Sequence, residues 1–202
     1  MASGDRVRGG EGETTFGGGG ARQAPFADAY WLPGADVAAG EYPGALDEAH
    51  ALAKVRALLD AGVRRFIDLT EEGELRPYRP LLEREAAARG VRVTHQRLPV
   101  RDMGIPAAAR MTEILDALDA AVAAGEPAYV HCWGGVGRTG TVVACWLVRR
   151  GQGCDEALAA VARLFATMSP GKQGRHREGS PQTEAQRAFV REWAAGAGEA
   201  LA

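Results

Sequence analysis

Cysteine is scarce in this chain, with three in 202 residues. So small and odd a set excludes a disulfide framework and leads us to expect a reducing, cytoplasmic setting. The four histidines have no paired spacing with those cysteines, so neither a metal site nor a cofactor is expected. No apolar run is long enough to cross a bilayer, and no signal-peptide stretch opens the sequence, so no membrane attachment is expected either. Charge of one sign is not in excess. Twenty-four Lys and Arg against 26 Asp and Glu leave −2, which excludes the footprint of a general nucleic-acid binder. Nothing in the composition requires an obligate partner. What remains is a chain with 46% hydrophobic residues, enough for one sizeable core and a single ordinary domain.

Against that plain background one decapeptide stands apart: His131-Cys132-Trp133-Gly134-Gly135-Val136-Gly137-Arg138-Thr139-Gly140. Tyr129-Val130-His131 reads as a short buried strand that ends at Cys132. Thr139–Val148 is apolar all round and reads as a buried helix. The glycines therefore bridge a strand end and a helix start. Unpaired N–H groups there can converge into an anion nest, backed by the positive end of the helix dipole. A thiol held at such a nest has its thiolate favoured. Arg138 can grip two phosphate oxygens with its planar fork. The amides of Trp133, Gly134, Gly135, Val136 and Gly137 would line the nest with it. Thr139 is spaced to donate its hydroxyl to the sulfur and ease its departure. His131 alternates with Cys132 along the strand and so points away from the nest, toward the loop backbone.

The His-Cys-x-x-Gly-x-x-Arg-Thr pattern resembles the signature of the cysteine-based protein phosphatases, the tyrosine and dual-specificity superfamily in its bacterial form. That resemblance implies a metal-free hydrolysis of phosphomonoesters through a phosphocysteine intermediate. Its substrates would be phosphorylated proteins or small phosphomonoesters. It further implies a general acid about thirty residues before the nucleophile, where Asp102 stands in the loop Arg101-Asp102-Met103-Gly104-Ile105-Pro106. Ser180-Pro181-Gln182-Thr183-Glu184-Ala185-Gln186 is similar to the superfamily's glutamine loop. Gln182 would then position the hydrolytic water, with Gln186 as a substrate contact one helical turn on, on the same face. The short domain, with no recognisable phosphotyrosine-sandwiching loop near its start, resembles the dual-specificity group, open to phosphotyrosine and to phosphoserine or phosphothreonine. Two alternatives stand beside this: a phosphoinositide or inositol-phosphate phosphatase, favoured by the basic run Lys172, Arg175, His176 and Arg177, and an idle phosphate-binding adaptor.

The rest of the chain is organised simply. Residues 1–25 are dominated by glycine and read as a disordered tail, 26–196 as the phosphatase domain and 197–202 as a short C-terminal tail. Ala29–Pro33 and Asp36–Gly40 read as short edge strands, Val63–Leu69 and Val91–Val100 as further strands. Leu46–Ala61, Ala107–Ala124 and Glu156–Met168 carry apolar stripes at helical spacing. Strands alternating with helices give an α/β fold, a mostly parallel central sheet flanked by helices on both faces. Ligands of such sheets sit at the carboxyl ends of the strands, where Cys132, Asp102 and the Thr70–Glu74 loop would meet. Glu71, Glu72 and Glu74 read as solvated carboxylates, although one is in reach to orient Arg138. Arg76 and Tyr78 read as exposed turn residues, with substrate contact an open alternative. Cys145 lies seven residues beyond Arg138, roughly 10 Å along a helix axis, too far for a disulfide with Cys132. It and Cys154 read as packing residues.

Overall fold

The structure, a computed structural model, describes residues 22–199. Five strands form its centre: β1 (Ala29–Trp31), β2 (Val37–Gly40), β3 (Arg65–Asp68), β4 (Thr94–Arg97) and β5 (Ala128–His131). Seven helices surround them: α1 (Glu48–Asp60), α2 (Arg79–Ala88), α3 (Ala108–Ala123), α4 (Gly137–Arg149), α5 (Cys154–Phe165), α6 (Pro170–Arg175) and α7 (Glu184–Glu199). The sheet order is β1-β2-β5-β3-β4, parallel throughout except for the antiparallel β1–β2 pair.

Alternation along the strands separates two cores. Val37, Ala39, Ile67 and Val130 point to one side, where α3, α4, α5 and α7 pack. Ala38, Phe66 and Tyr129 point to the other, against α1 and α2. Residues Gly137 through Leu147 of α4 are all buried, as befits a helix apolar all round that is enclosed by the sheet and by α3, α5 and α7. The parallel register sets Asp68 beside both His131 and Arg97, so three strands end at one level. No helix among the described residues is long and apolar enough to cross a membrane.

Several expectations change. The segment read as a second edge strand, β2, is internal: it pairs with β5 on one side and β1 on the other. Helix α2 was not anticipated, because only Leu82, Glu85 and Ala86 of its ten residues are buried and no apolar stripe shows. Its sequence signal is Pro80 in the first turn. The basic run 172–177 begins inside a short helix, capped by Ser169. Gln182 precedes α7, so it and Gln186 do not share a helix face. Of the glycine-rich segment 1–25, residues 1–21 lie outside the described residues. Within its described part, Arg22 meets Asp36 and stacks on Trp31. At the other end α7 runs on to Glu199, past the expected boundary at 196.

Gly135 is where fold and loop meet most tightly. Its φ of 73° lies in the left-handed region, and a Cβ there would run into the backbone of Gly40 and Glu41 at the end of β2. Gly135→Ala is therefore expected to destabilise the fold by about 1–3 kcal/mol. Urea unfolding would measure it, and an unchanged midpoint would contradict this packing.

Candidate active site

The loop that leaves β5 turns its carbonyls outward, and separate segments of the chain meet them. The Tyr42 N–H donates to Trp133 O at 2.9 Å. Lys172 Nζ donates to Gly134 O at 3.1 Å and Ser180 Oγ to Val136 O at 2.7 Å. His131 Nδ1 lies 3.3 Å from Cys132 O. Carbonyls drawn outward leave the amide hydrogens on the inner side, at the start of α4, where they and the helix dipole favour an anion.

Beneath the loop lies a buried polar layer. Asp68 accepts from the Thr70 N–H at 2.9 Å, from Thr70 Oγ1 at 2.6 Å and from both ends of the Arg97 fork. Burial acts to raise the Asp68 carboxyl, but His95, His131 and Thr70 outweigh it and hold it below the usual carboxylate range. Tyr78 is buried, not an exposed turn residue, and its hydroxyl sits 2.7 Å from His131 Nε2. Burial pushes the Tyr78 phenol up, so it keeps its proton and donates to His131. Burial also pulls His131 down to about 4, against the opposing charge of Asp68. The neutral ring then donates from Nδ1 to the Cys132 carbonyl.

Arg138 is 3% exposed, and both terminal nitrogens of its guanidinium have partners. It makes a two-pronged pair with Glu74, Nη1 to Oε2 at 2.8 Å and Nη2 to Oε1 at 2.6 Å, and Nη1 also donates to Val100 O. Nη2 lies 2.9 Å from Asp102 Oδ1. Burial alone would lower the guanidinium, yet Glu74, Cys132 and Asp102 together raise it. Glu74 is thus not a solvated carboxylate, as its sequence suggested. Its place directly beyond the carboxyl end of β3 was the available signal.

One cleft of about 670 Å³ gathers most of the expected residues: Cys132, Trp133, Gly134, Val136, Gly137, Arg138, Asp102, Gln182 and Gln186 all line it. Gly135 does not, being turned against Gly40. Thr139 Oγ1 is buried with no hydrogen-bond partner among the described residues, so the expected hydroxyl contact with Cys132 is not formed. Gln186 is fully buried, and its amide serves the protein itself. Oε1 accepts from the N–H groups of Gln182 and Thr183, and Nε2 donates to Gly104 O, which ties the loop of Asp102 to α7. The cleft also has Glu41, Tyr42, Lys54 and Lys172 in its wall, none of which the motif indicated. Among the described residues no cluster of His, Cys, Asp and Glu is arranged to hold a metal.

A strand that ends on a cysteine, a glycine-rich turn and an arginine at the helix start define a phosphatase of the dual-specificity and tyrosine type. The chain belongs to the DSP-PTPase phosphatase family of polymorphic toxin systems, whose model matches residues 44–152. That span holds Asp102, Cys132 and Arg138 but not Lys172, Gln182 or Gln186. Among solved structures the chain is similar to Tk-PTP in its active form, at 28% identity over 83% of this chain and 97% of that one, with a TM-score of 0.61. It is similar to PTPMT1 at 28% identity over 81% and 94%, TM-score 0.53. A mouse putative dual specificity phosphatase complexed with zinc tungstate shares the fold, at 20% identity over 93% and 97% and a TM-score of 0.59.

The buried histidine has a consequence for stability. Unfolded, its imidazole takes a proton near pH 6.5, whereas folded it waits until about 4, so the unfolded chain binds more protons in between. This contribution is complete above pH 6.5 and is lost as pH falls toward 4, with a slope of at most about 1.4 kcal/mol per pH unit. Asp68 adds nothing in that window, because its carboxyl is depressed and its contribution fades only at lower pH. Urea unfolding at pH 4.5, 5.5 and 7 should show the slope in the wild type and a shallower one in His131→Asn. Equal slopes would contradict the assignment.

Proposed function

We propose that the chain is a protein phosphatase that hydrolyses phosphotyrosine, and phosphoserine or phosphothreonine, through a phosphocysteine intermediate. The observation that carries this reading is the approach of Asp102 to Arg138 within the cleft that Cys132 lines. Acid, cation and nucleophile then line one cleft.

The steps follow from those groups. The substrate dianion takes the guanidinium arm that Asp102 holds, which frees the Asp102 carboxyl to serve as the acid. The Cys132 thiolate attacks phosphorus, the P–O bond to the leaving group breaks, and Asp102 delivers its proton to that oxygen. Asp102, ionised again, accepts a proton from a water held by Gln182. The water attacks the phosphocysteine, and inorganic phosphate and the thiolate are released. The buried Thr139 hydroxyl is the donor available to the departing sulfur. Arg138 and the loop amides carry the charge that builds on the equatorial oxygens in both steps.

The rim of the cleft supports an aromatic carrier. Leu46, Met103 and Trp133 are three of the four large apolar side chains exposed among the described residues, and all three line this cleft. Apolar walls of that kind suit the ring of phosphotyrosine better than a polyhydroxylated headgroup. The phosphoinositide reading leaned on the basic run from Lys172; Lys172 is paired with Glu41 and Gly134 O, whereas Arg175 and His176 line the cleft and keep an anionic second group on the substrate in view. An idle adaptor would have no use for Asp102. Cys132, Cys145 and Cys154 are all free, which supports a reducing, cytoplasmic setting.

On p-nitrophenyl phosphate, Cys132→Ser is expected to abolish turnover while inorganic phosphate still binds. Asp102→Asn should slow phosphotyrosine hydrolysis by about 10²–10⁴ and affect the good leaving group less. Full activity in Cys132→Ser would refute the mechanism.

A further inference from the structure

The peptide between Gly134 and Gly135 has no Cβ on either side to limit its dihedrals, so what fixes its plane is contact with the surrounding fold. Rotating that plane would turn the Gly135 N–H out of the cup and bring the Gly134 carbonyl, a negative dipole, into it. What faces that carbonyl is the ammonium of Lys172, at 3.1 Å. Lys172 is 4% exposed, and such a residue is almost never so deeply buried without a reason. Its charge is met by Glu41 Oε2 at 2.6 Å, while Glu41 Oε1 holds Lys54 Nζ at 2.6 Å. Glu41 is itself fixed, its N–H on Asp28 O and its carbonyl accepting from Tyr129 Oη. Helix α6, which carries Lys172, is docked through Ser169, whose N–H donates to Asp28 Oδ1 and Ala27 O. The ammonium is therefore held from two sides and has no freedom to leave the carbonyl.

We infer that Lys172 is a positioning residue of the phosphate site, acting through the Gly134–Gly135 peptide. Resting on the phosphatase reading, this gives α6 a part in catalysis that its distance in sequence from the signature conceals. Lys172 stands in the cleft wall, and the role assigned to it runs through its tie to the Gly134 carbonyl. It fixes which way one amide of the cup points, and so it matters more as charge builds in the transition state than when substrate first binds.

The test compares the full chain with Lys172→Met and Lys172→Gln. It reads kcat and KM on p-nitrophenyl phosphate, inhibition constants for inorganic phosphate and for orthovanadate, and the thermal midpoint. Lys172→Met is expected to raise the orthovanadate constant by about tenfold or more and the phosphate constant by less, with kcat falling more than KM rises. Lys172→Gln keeps an N–H donor for Gly134 O and should recover part of the loss. A lysine that only packs would lower the midpoint and leave both constants unchanged, and that result overturns the inference. Should Lys172→Met fail to fold, Lys172→Gln and Lys172→Arg are judged by the same two constants. A wild-type chain that neither turns over the substrate nor binds orthovanadate would instead refute the proposed function.

Discussion

The constraint on which the site depends is the outward pull on the carbonyls of Cys132, Trp133, Gly134 and Val136. A glycine-rich turn has many conformations open to it, and only those with the amides inside make a seat for a phosphate. Here the choice is made from outside the turn. A backbone amide from the segment after β2, a buried ammonium from α6, a hydroxyl from the segment before α7 and an imidazole from β5 each claim a carbonyl. Because those donors come from segments far apart in sequence, the loop's shape is a property of the whole fold.

The charged groups around the cup follow a single rule. Arg138, Lys172 and Asp68 are all buried, and each is met by an opposite charge with hydrogen-bonding geometry: Glu74, Glu41 and Arg97 respectively. Buried pairs of this kind contribute little net stability, since desolvation offsets most of the attraction, whereas removing one partner is costly. Their presence is better understood as orientation. Glu74 holds the guanidinium by both nitrogens, and the second carboxylate on it, Asp102, is half-exposed and belongs to a loop tied down through Gly104 O and Gln186. One arginine thus meets one shielded carboxylate and one half-exposed one.

The sequence made the layered α/β arrangement and the turn from Cys132 to Arg138 legible, because both are written locally. Apolar stripes at helical spacing mark α1, α3 and α5, an unbroken apolar run marks α4, and Cys132 and Arg138 stand at the two ends of a local strand–turn–helix. What stayed hidden depends on contacts between distant segments. Glu74 looked like any loop carboxylate until β3 and β5 were in register. Tyr78 looked exposed because α2 has almost no apolar stripe to announce it. Lys172 looked like one more member of a basic run, because the carboxylate that pairs with it is 131 positions away. Gln186 was read as a substrate contact, and its amide is spent on the N-terminus of α7 and on the acid loop.

The central claim is that an oxyanion sits on Cys132 Sγ inside a ring of amides held in place by these outward ties. The most direct measurement is a crystal structure of the chain soaked with orthovanadate. The account predicts five-coordinate vanadium bonded to Cys132 Sγ, with its equatorial oxygens on the N–H groups of residues 133–138 and on Arg138. Vanadate absent from that cup, or a cup whose carbonyls of Trp133, Gly134 or Val136 point at the anion, would contradict it.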